Sequence, residues 1–258
     1  MKNLSTLSVV MIVKNESKHL GDCLATVAHL ADEIIILDSG STDDTEEIAA
    51  EYNAKFYVNS VWKGFGCQRQ LAQSYASCDY VLALDADERL DLQLQKSVAE
   101  LLQSAVNRER PFAFMRRNLY MGKVVYKFGY RTKLVRLYAR QDFAYSGAEV
   151  HETVDCDRSQ SIRLSGNLMH HVCDSFHHLM EKNLRYSNDW AVERHRQGET
   201  TWFITPFVKG LFSFLRESLL RGAILSGSYG FIMAMIGAFY SFDKYMLLYI
   251  MGRQKKKQ

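Results

Sequence analysis

The chain has 258 residues, 47% of them hydrophobic and 24% charged, with only two prolines. That composition excludes a disordered or low-complexity protein. The net charge of +3 divides unevenly: residues 1–110 carry 10 Lys+Arg against 17 Asp+Glu, and the remainder carry 22 against 12. An acidic half suits a metal ion, and a basic half suits an anionic acceptor or an anionic membrane surface. Five scattered cysteines without a CxxC argue against a disulfide framework and for reduced thiols in a cytosolic chain.

The first 110 residues alternate strand and helix patterns. Leu7 to Val13 reads as a buried strand, too short for the apolar core of a secretory signal. Leu20, Cys23, Leu24, Val27 and Ala31 then recur at helical spacing. Glu33 to Asp38 is a second strand. Ser41-Thr42-Asp43-Asp44, followed by Glu46 and Glu47, reads as a capped helix start with acids in its first turn. Lys55 to Asn59 is a third strand, Cys67 to Ala76 a short helix, Asp79 to Asp85 a fourth strand, and Asp91 to Ala105 an amphipathic helix. Such alternation implies a parallel sheet with helices on both faces, and ligands bind such sheets beyond the carboxyl ends of the strands.

After Pro111 the pattern changes. Phe112 to Met115, Lys133 to Tyr138 and Ser161 to Met169 read as short strands, and a helix runs from about Ser175 to Gln197, stopped by Gly198. A third region begins near Trp202. Gly222 to Phe242 is free of charge and long enough to span a bilayer. Its four glycines and three serines fit a pair of short interfacial or re-entrant helices equally well. The basic end, Arg253 and Lys255 to Lys257, would attract anionic headgroups.

The acids that matter fall at strand ends. Asp38 closes the second strand, and Asp85-Ala86-Asp87 closes the fourth, so both border one crevice. A D-x-D after an apolar strand can hold a hard divalent cation that bridges diphosphate oxygens.

These segments resemble an inverting nucleotide-sugar glycosyltransferase of the large family-two group. The matching pieces are SVVMIVKNE (8–16), EIIILDSGSTDDT (33–45), GFGCQRQLA (64–72), DYVLALDADE (79–88), KLVRLY (133–138) and GAEVHE (147–152), followed by His170, Ser175, Lys182 and Tyr186. The last segments are similar to the branch that adds β-linked glucose to the inner-core heptose of bacterial lipopolysaccharide. The resemblance implies a GT-A fold, α/β with a Rossmann-like mixed sheet flanked by helices. It implies a transferase domain over 1–200, with a nucleotide-sugar half at 1–110 and an acceptor half at 111–200. Residues 201–258 then form an apolar helical segment with a basic tail.

The resemblance also implies roles. Val13, Asn15, Glu16, Asp38, Ser39, Arg69, Asp85 and Ala86 lie where the family binds the nucleotide-sugar. Asp87, with Asp85 and His170, matches the site of a divalent metal, Mg²⁺ or Mn²⁺. Ser39 replaces the second Asp of the family's usual Asp-Asp-Gly-Ser, and Asp38 is placed to take over its base contact. Inverting transfer needs a carboxylate to accept the acceptor's hydroxyl proton; Glu152 matches that base, with Glu149 the alternative. His151 and Arg136, with Lys182 and Tyr186 four apart on one helix face, are assigned to the acceptor or its phosphates. The implied partners are a UDP-sugar, a heptose-bearing lipid A–core acceptor and the cytoplasmic surface of the inner membrane; no nucleic-acid motif accompanies the basic charge. Two other readings stay open. One is the same fold with another UDP-sugar or a polyprenyl-phosphate acceptor. The other is a catalytically idle nucleotide-sugar-binding scaffold.

Overall fold

The aliphatic runs of the first half form strands because their alternate residues have two helical layers to pack against. In the computed structural model, which describes residues 5–104, 109–125, 131–147 and 152–254, the elements are β1 (Leu7–Val13), α1 (Ser17–Ala25), β2 (Glu33–Asp38), α2 (Thr45–Glu51), β3 (Lys55–Val58), α3 (Phe65–Ser74), β4 (Tyr80–Leu84), β5 (Glu88–Leu90) and α4 (Leu92–Leu102). They continue with β6 (Phe112–Tyr120), β7 (Lys123–Val124), β8 (Arg131–Ala139), β9 (Ile162–Cys173), α5 (Phe176–Arg196), α6 (Thr205–Leu215) and α7 (Gly227–Gln254). The chain divides into two compact units, Met1–Arg117 with Thr132–His170, and Asn118–Arg131 with His171–Gln258.

The first unit is built on a mixed sheet in the order β3-β2-β1-β4-β8-β6-β9-β5. β1 pairs in parallel with β2 and β4, and β2 with β3, whereas β8 lies antiparallel to β4. The period-2 alternation sorts the core. Val9, Met11, Ile34, Ile36, Leu82 and Leu84 face a layer containing Leu20, Leu24, Leu94 and Val98 from α1 and α4. Val10, Ile35, Leu37, Val81 and Ala83 face the opposite layer with Ala72 of α3. The register Val13↔Asp38 and Met11↔Leu84 brings three carboxyl ends of parallel strands to one edge.

Several details depart from the sequence reading. The helix expected to reach Ala31 ends at Ala25, where Thr26 turns its hydroxyl onto the Cys23 carbonyl and Leu90 N–H donates to that hydroxyl. The capping expected at α2 is absent: Asp44 makes no side-chain cap, and Asp43 instead accepts from Ser17 N–H and Thr45. The strand expected over 112–115 runs on to Tyr120. β5 was not expected at all; three residues carry no periodicity, and only pairing with β9 (Glu88↔His170) creates it. At α4, Asp91 does cap the helix through Leu94 N–H, and Gly166 packs so closely on that turn, at φ +103°, that any side chain would collide with the Leu94 backbone.

In the second unit α5 is capped by Ser175, which accepts from His178 N–H at 3.1 Å, and its last turn carries Arg194, His195 and Arg196 against the carbonyl end of the dipole. The uncharged run does not form two short helices. A single turn at Ala223–Ser226 leads, through left-handed Gly222 and positive-φ Gly227, into one long helix. Asp243 does not interrupt it, because the Ser187 hydroxyl donates to its carboxylate. α6 packs antiparallel to α7 through Phe203–Tyr249, Phe207–Phe242 and Phe214–Phe231 ring contacts. Gly230 must lack a side chain, since a Cβ there would overlap the Ala223 carbonyl. The stretch Ala223–Gln254 is long and apolar enough to cross a membrane by length and composition alone. Lys255 to Lys257 lie outside the described residues.

Candidate active site

The carboxyl edge of β1, β2 and β4 opens into a cavity of about 620 Å³ within the first unit. Val13, Lys14 and Glu16 reach it from the end of β1, Ser39 from β2, Arg69 from α3, and Asp85, Ala86 and Asp87 from β4. Glu152 and His170 complete the wall. Nine of the residues expected from the sequence therefore share one cavity: Val13, Glu16, Ser39, Arg69, Asp85, Ala86, Asp87, Glu152 and His170.

Two arginines from distant parts of the chain fix Asp85. Arg69 Nη2 donates to one carboxylate oxygen, and Arg136 Nη2 donates to the other at 2.7 Å. Burial alone would raise the Asp85 pKa, but the charges of Arg136 and Arg69 outweigh it and hold this carboxyl far below the usual range. Arg69 also donates from Nε to Glu152 Oε1 at 3.3 Å and lies over the Tyr145 ring at 4.9 Å. Arg136 continues to Glu88 Oε1 at 2.8 Å and, through Nη1, to the Tyr145 hydroxyl at 3.1 Å. Glu88 is fully buried, and burial raises its pKa despite Arg136.

Asp87 is placed differently. Its carboxylate lies 3.2 Å from His170 Nε2, on the cavity wall. Glu16 faces the same acids: burial, then the charges of Asp87, Asp85 and Asp43, push its carboxyl up to about 7. Among the described residues no three His, Cys, Asp or Glu side chains are arranged around one metal position. The Asp87–His170 pair supplies one carboxylate oxygen and one imidazole nitrogen. That donor set would fit a divalent cation, which also accepts oxygen ligands from phosphates and water.

Other expected residues are spent elsewhere. Asp38 is buried and accepts from Gly40 N–H, Ser41 N–H and the Ser41 hydroxyl, so it shapes its own loop instead of lining the cavity. Asn15, at φ +55°, clips that loop by accepting from Thr42 N–H at 2.8 Å. Arg136, expected to face the acceptor, is largely buried by its ion pairs and also lines the smaller cavity next to Glu152. Lys182 and Tyr186 belong to the second unit. Glu149 and His151 lie outside the described residues. Conversely, Trp62 and Phe65, edge to face at 4.8 Å, stand half exposed on the cavity wall, and no sequence pattern singled them out. Glu88 was also missed, although it sits next to the D-x-D.

A smaller cavity of about 180 Å³ shares Asp85 and Glu152 and is lined by Arg116, Lys133 and Arg158.

Known proteins resemble this chain. Residues 8–148 match the model of glycosyl transferase family 2. An uncharacterized glycosyltransferase of Rickettsia prowazekii is 30% identical over 253 residues, covering 94% of this chain and 85% of its own. The lipopolysaccharide core biosynthesis glycosyltransferase LpsC of Rhizobium meliloti is 30% identical over 247 residues, covering 92% and 89%. Among solved structures, glucosyl-3-phosphoglycerate synthase from Mycobacterium tuberculosis, crystallised with Mn²⁺ and UDP-glucose, is 25% identical over 45% of this chain and 44% of its own, with a TM-score of 0.35. At that overlap the likeness carries no weight for substrate.

Proposed function

The chain belongs to glycosyl transferase family 2, and on that premise we propose that it moves glucose from UDP-glucose to the inner-core heptose of a lipopolysaccharide or lipooligosaccharide acceptor, forming a β-1,4 bond. The observation that carries this reading is the convergence of Arg69, Asp85, Asp87, Glu152 and His170 on one cavity at the carboxyl ends of β1, β2 and β4. The acceptor hydroxyl attacks the anomeric carbon from the face opposite UDP. Glu152 accepts the hydroxyl proton as the new C–O bond forms and the bond to UDP breaks. Arg69 holds Glu152 by its side-chain oxygen and so fixes the direction from which the base works.

Asp87 and His170 would hold a divalent metal, Mn²⁺ or Mg²⁺, which when bound would neutralise charge on the diphosphate. Asp85 does not compete for it, since each of its oxygens already has an arginine. Val13, Lys14 and Ser39 form the wall against the nucleotide. The basic cavity of Arg116, Lys133 and Arg158 next to Glu152 suits a phosphorylated acceptor. The name of the Rhizobium relative supports a lipopolysaccharide core acceptor. The reaction runs at the cytoplasmic face of the inner membrane, with the exposed apolar side chains of α6 and the long helix α7 making the contact.

The test is UDP release by the full-length protein with heptose-bearing lipid A–core acceptor. UDP-glucose, UDP-galactose and UDP-N-acetylglucosamine are compared, each with and without Mn²⁺ or Mg²⁺. Metal-dependent release with UDP-glucose alone, lost in Asp87→Ala and Glu152→Gln, is the expected result. Release with another donor, or undiminished release by Glu152→Gln, overturns the donor or the base respectively.

A further inference from the structure

The second unit contains a cavity of its own, about 530 Å³, between α5, α6 and α7. Five cations line it: Lys182 from α5, Lys209 from α6, Arg216 and Arg221 just beyond α6, and Lys244 from α7. One carboxylate faces them. Glu217 is buried, and its Oε1 takes both Arg216 at 3.0 Å and Arg221 at 2.6 Å. Lys182, Lys209 and Lys244 have no carboxylate within ion-pair distance among the described residues. The charged groups that bear on Lys244 are Arg216, Arg194 and Lys209, all cations. The only nearby acid on its own helix, Asp243, is bound by Ser187.

Aromatic rings hold these lysines instead. Lys244 sits over Trp190 at 4.7 Å and Tyr240 at 5.1 Å, and Lys209 over Tyr245 at 5.7 Å. Ring faces orient a cation at little cost but do not neutralise it. Among the described residues the buried Nε of Arg216 has no acceptor and the buried Oε2 of Glu217 no donor. A cavity with this excess of positive charge and an unsatisfied donor in its wall attracts an anion with several acceptor oxygens.

The same helices say what carries that anion. α6 turns Phe207, Leu211, Phe212 and Leu215 outward, and beyond it Leu219 and Leu220 are exposed, Leu220 by 81%. Phe212 belongs both to this outward row and to the cavity wall. A free inorganic ion uses only the cations; a lipid uses both surfaces. Basic pockets between apolar helices are a recurrent form of headgroup recognition.

We propose that this cavity binds the phosphate of an anionic lipid, with Lys182, Lys209, Arg216 and Lys244 on its oxygens and the acyl chains along the outward face of α6. The binding is independent of the nucleotide-sugar and of sugar transfer, so it stands whether or not the donor and acceptor given above are right.

The experiment is flotation of the full chain with vesicles of phosphatidylcholine alone, with phosphatidylglycerol added, or with lipid A added. Lys209→Gln/Lys244→Gln removes two cavity charges. Arg185→Gln/Arg196→Gln removes two exposed charges from the same unit outside the cavity, and circular dichroism and UDP binding verify that both variants fold. At about 1 kcal/mol per basic residue, the cavity variant is expected to bind the anionic vesicles about thirtyfold more weakly. The control variant, whose charges are exposed to solvent and screened, should stay within about threefold of the parent. Binding to pure phosphatidylcholine should be unchanged in both. Loss confined to lipid A assigns the phosphate to that lipid, and loss with phosphatidylglycerol assigns it to the bulk bilayer; either supports the site. Equal loss in both variants means diffuse surface charge and overturns it. So does parental binding by the cavity variant, or competition by inorganic phosphate that is no stronger than chloride at equal ionic strength.

Discussion

Replacing Arg136 by Met tests the electrostatic frame of the active site directly. Among the described residues Arg136 is the only ion-pair partner within 3 Å of fully buried Glu88, and it also neutralises one oxygen of Asp85. The variant keeps most of the side-chain volume but leaves Glu88 buried next to a second carboxylate. Removing one partner of a buried pair typically costs about 3–5 kcal/mol, against about 5–15 for a whole domain. Hydrogen exchange of peptides from β4 and β8 reads this unit by itself. At 1.4 kcal/mol per tenfold, exchange there should accelerate roughly a hundred- to several-thousandfold. Adding Glu88→Gln removes the stranded charge and should restore most of the protection, giving a large coupling in the double-mutant cycle. If Arg136→Met exchanges within threefold of the parent, or if Glu88→Gln rescues nothing, the two groups are not the pair described here.

Glu33 accepts from Ser8, Ser77 and Lys55, and although burial would raise its pKa these bonds hold it at about 2 against an ordinary 4.5. A depressed carboxyl stabilises the fold fully above pH 4.5 and loses that contribution as pH falls toward 2. Glu33→Gln should therefore lower stability by about 2–3 kcal/mol at pH 7, discounted for half-exposed Lys55. The gap to the parent should close in thermal denaturation near pH 2, and a gap that persists there contradicts the assignment. Trp62→Ala should weaken UDP binding about three- to tenfold by calorimetry, the worth of one aromatic contact; unchanged affinity removes Trp62 from the nucleotide wall. Gly230→Ala pushes a methyl group into the Ala223 carbonyl and should cost about 1–3 kcal/mol, read as faster exchange confined to residues 223–233. Leu219→Glu/Leu220→Glu should reduce flotation with neutral vesicles tenfold or more, from about 1.5–3 kcal/mol per buried leucine; parental flotation would move the membrane contact away from this turn.

What could be read from the sequence followed from how local its cause is. β1, β2 and β4 were plain because a strand buried on both faces is a continuous aliphatic run, and EIIILD or YVLAL allows little else. The starts of α4 at Asp91 and of α5 at Ser175 were equally local. β5 was invisible because its cause is β9, some eighty residues later. Asp38 and Asn15 were placed in the site by their position after strands, yet in the structure both are consumed by one loop. The sequence shows an acid at a strand end but not which way its oxygens turn. Arg136 and Lys133 are three apart on one strand and look alike as basic residues. Both reach the wall of the smaller cavity, but only the fold pairs the first with buried Glu88 and Asp85 and leaves the second without a carboxylate partner among the described residues.

The same distinction resolves the Asp85-Ala86-Asp87 motif into two unlike parts. Two carboxylates flanking one small residue look like a matched pair of ligands. Asp85 has a side chain one-third exposed, but both of its oxygens are committed, one to an arginine sixteen residues earlier in the chain and one to an arginine fifty-one residues later. Those arginines also hold Glu152 and Glu88, so Asp85 is the junction through which α3, β8 and the Glu152 segment share a single geometry. Among the described residues Asp87 has no cation beside it except the His170 imidazole, and it lines the cavity. A strut must resist entering ligands, whereas a ligand-binding group must yield to them. One residue cannot do both under two fixed positive charges, because exchanging an arginine for a cation or a diphosphate would strand a buried guanidinium. The division of labour within three residues is thus a consequence of where Arg69 and Arg136 end up. In the proposed mechanism the acid of this motif that meets the metal is the one the arginines leave alone.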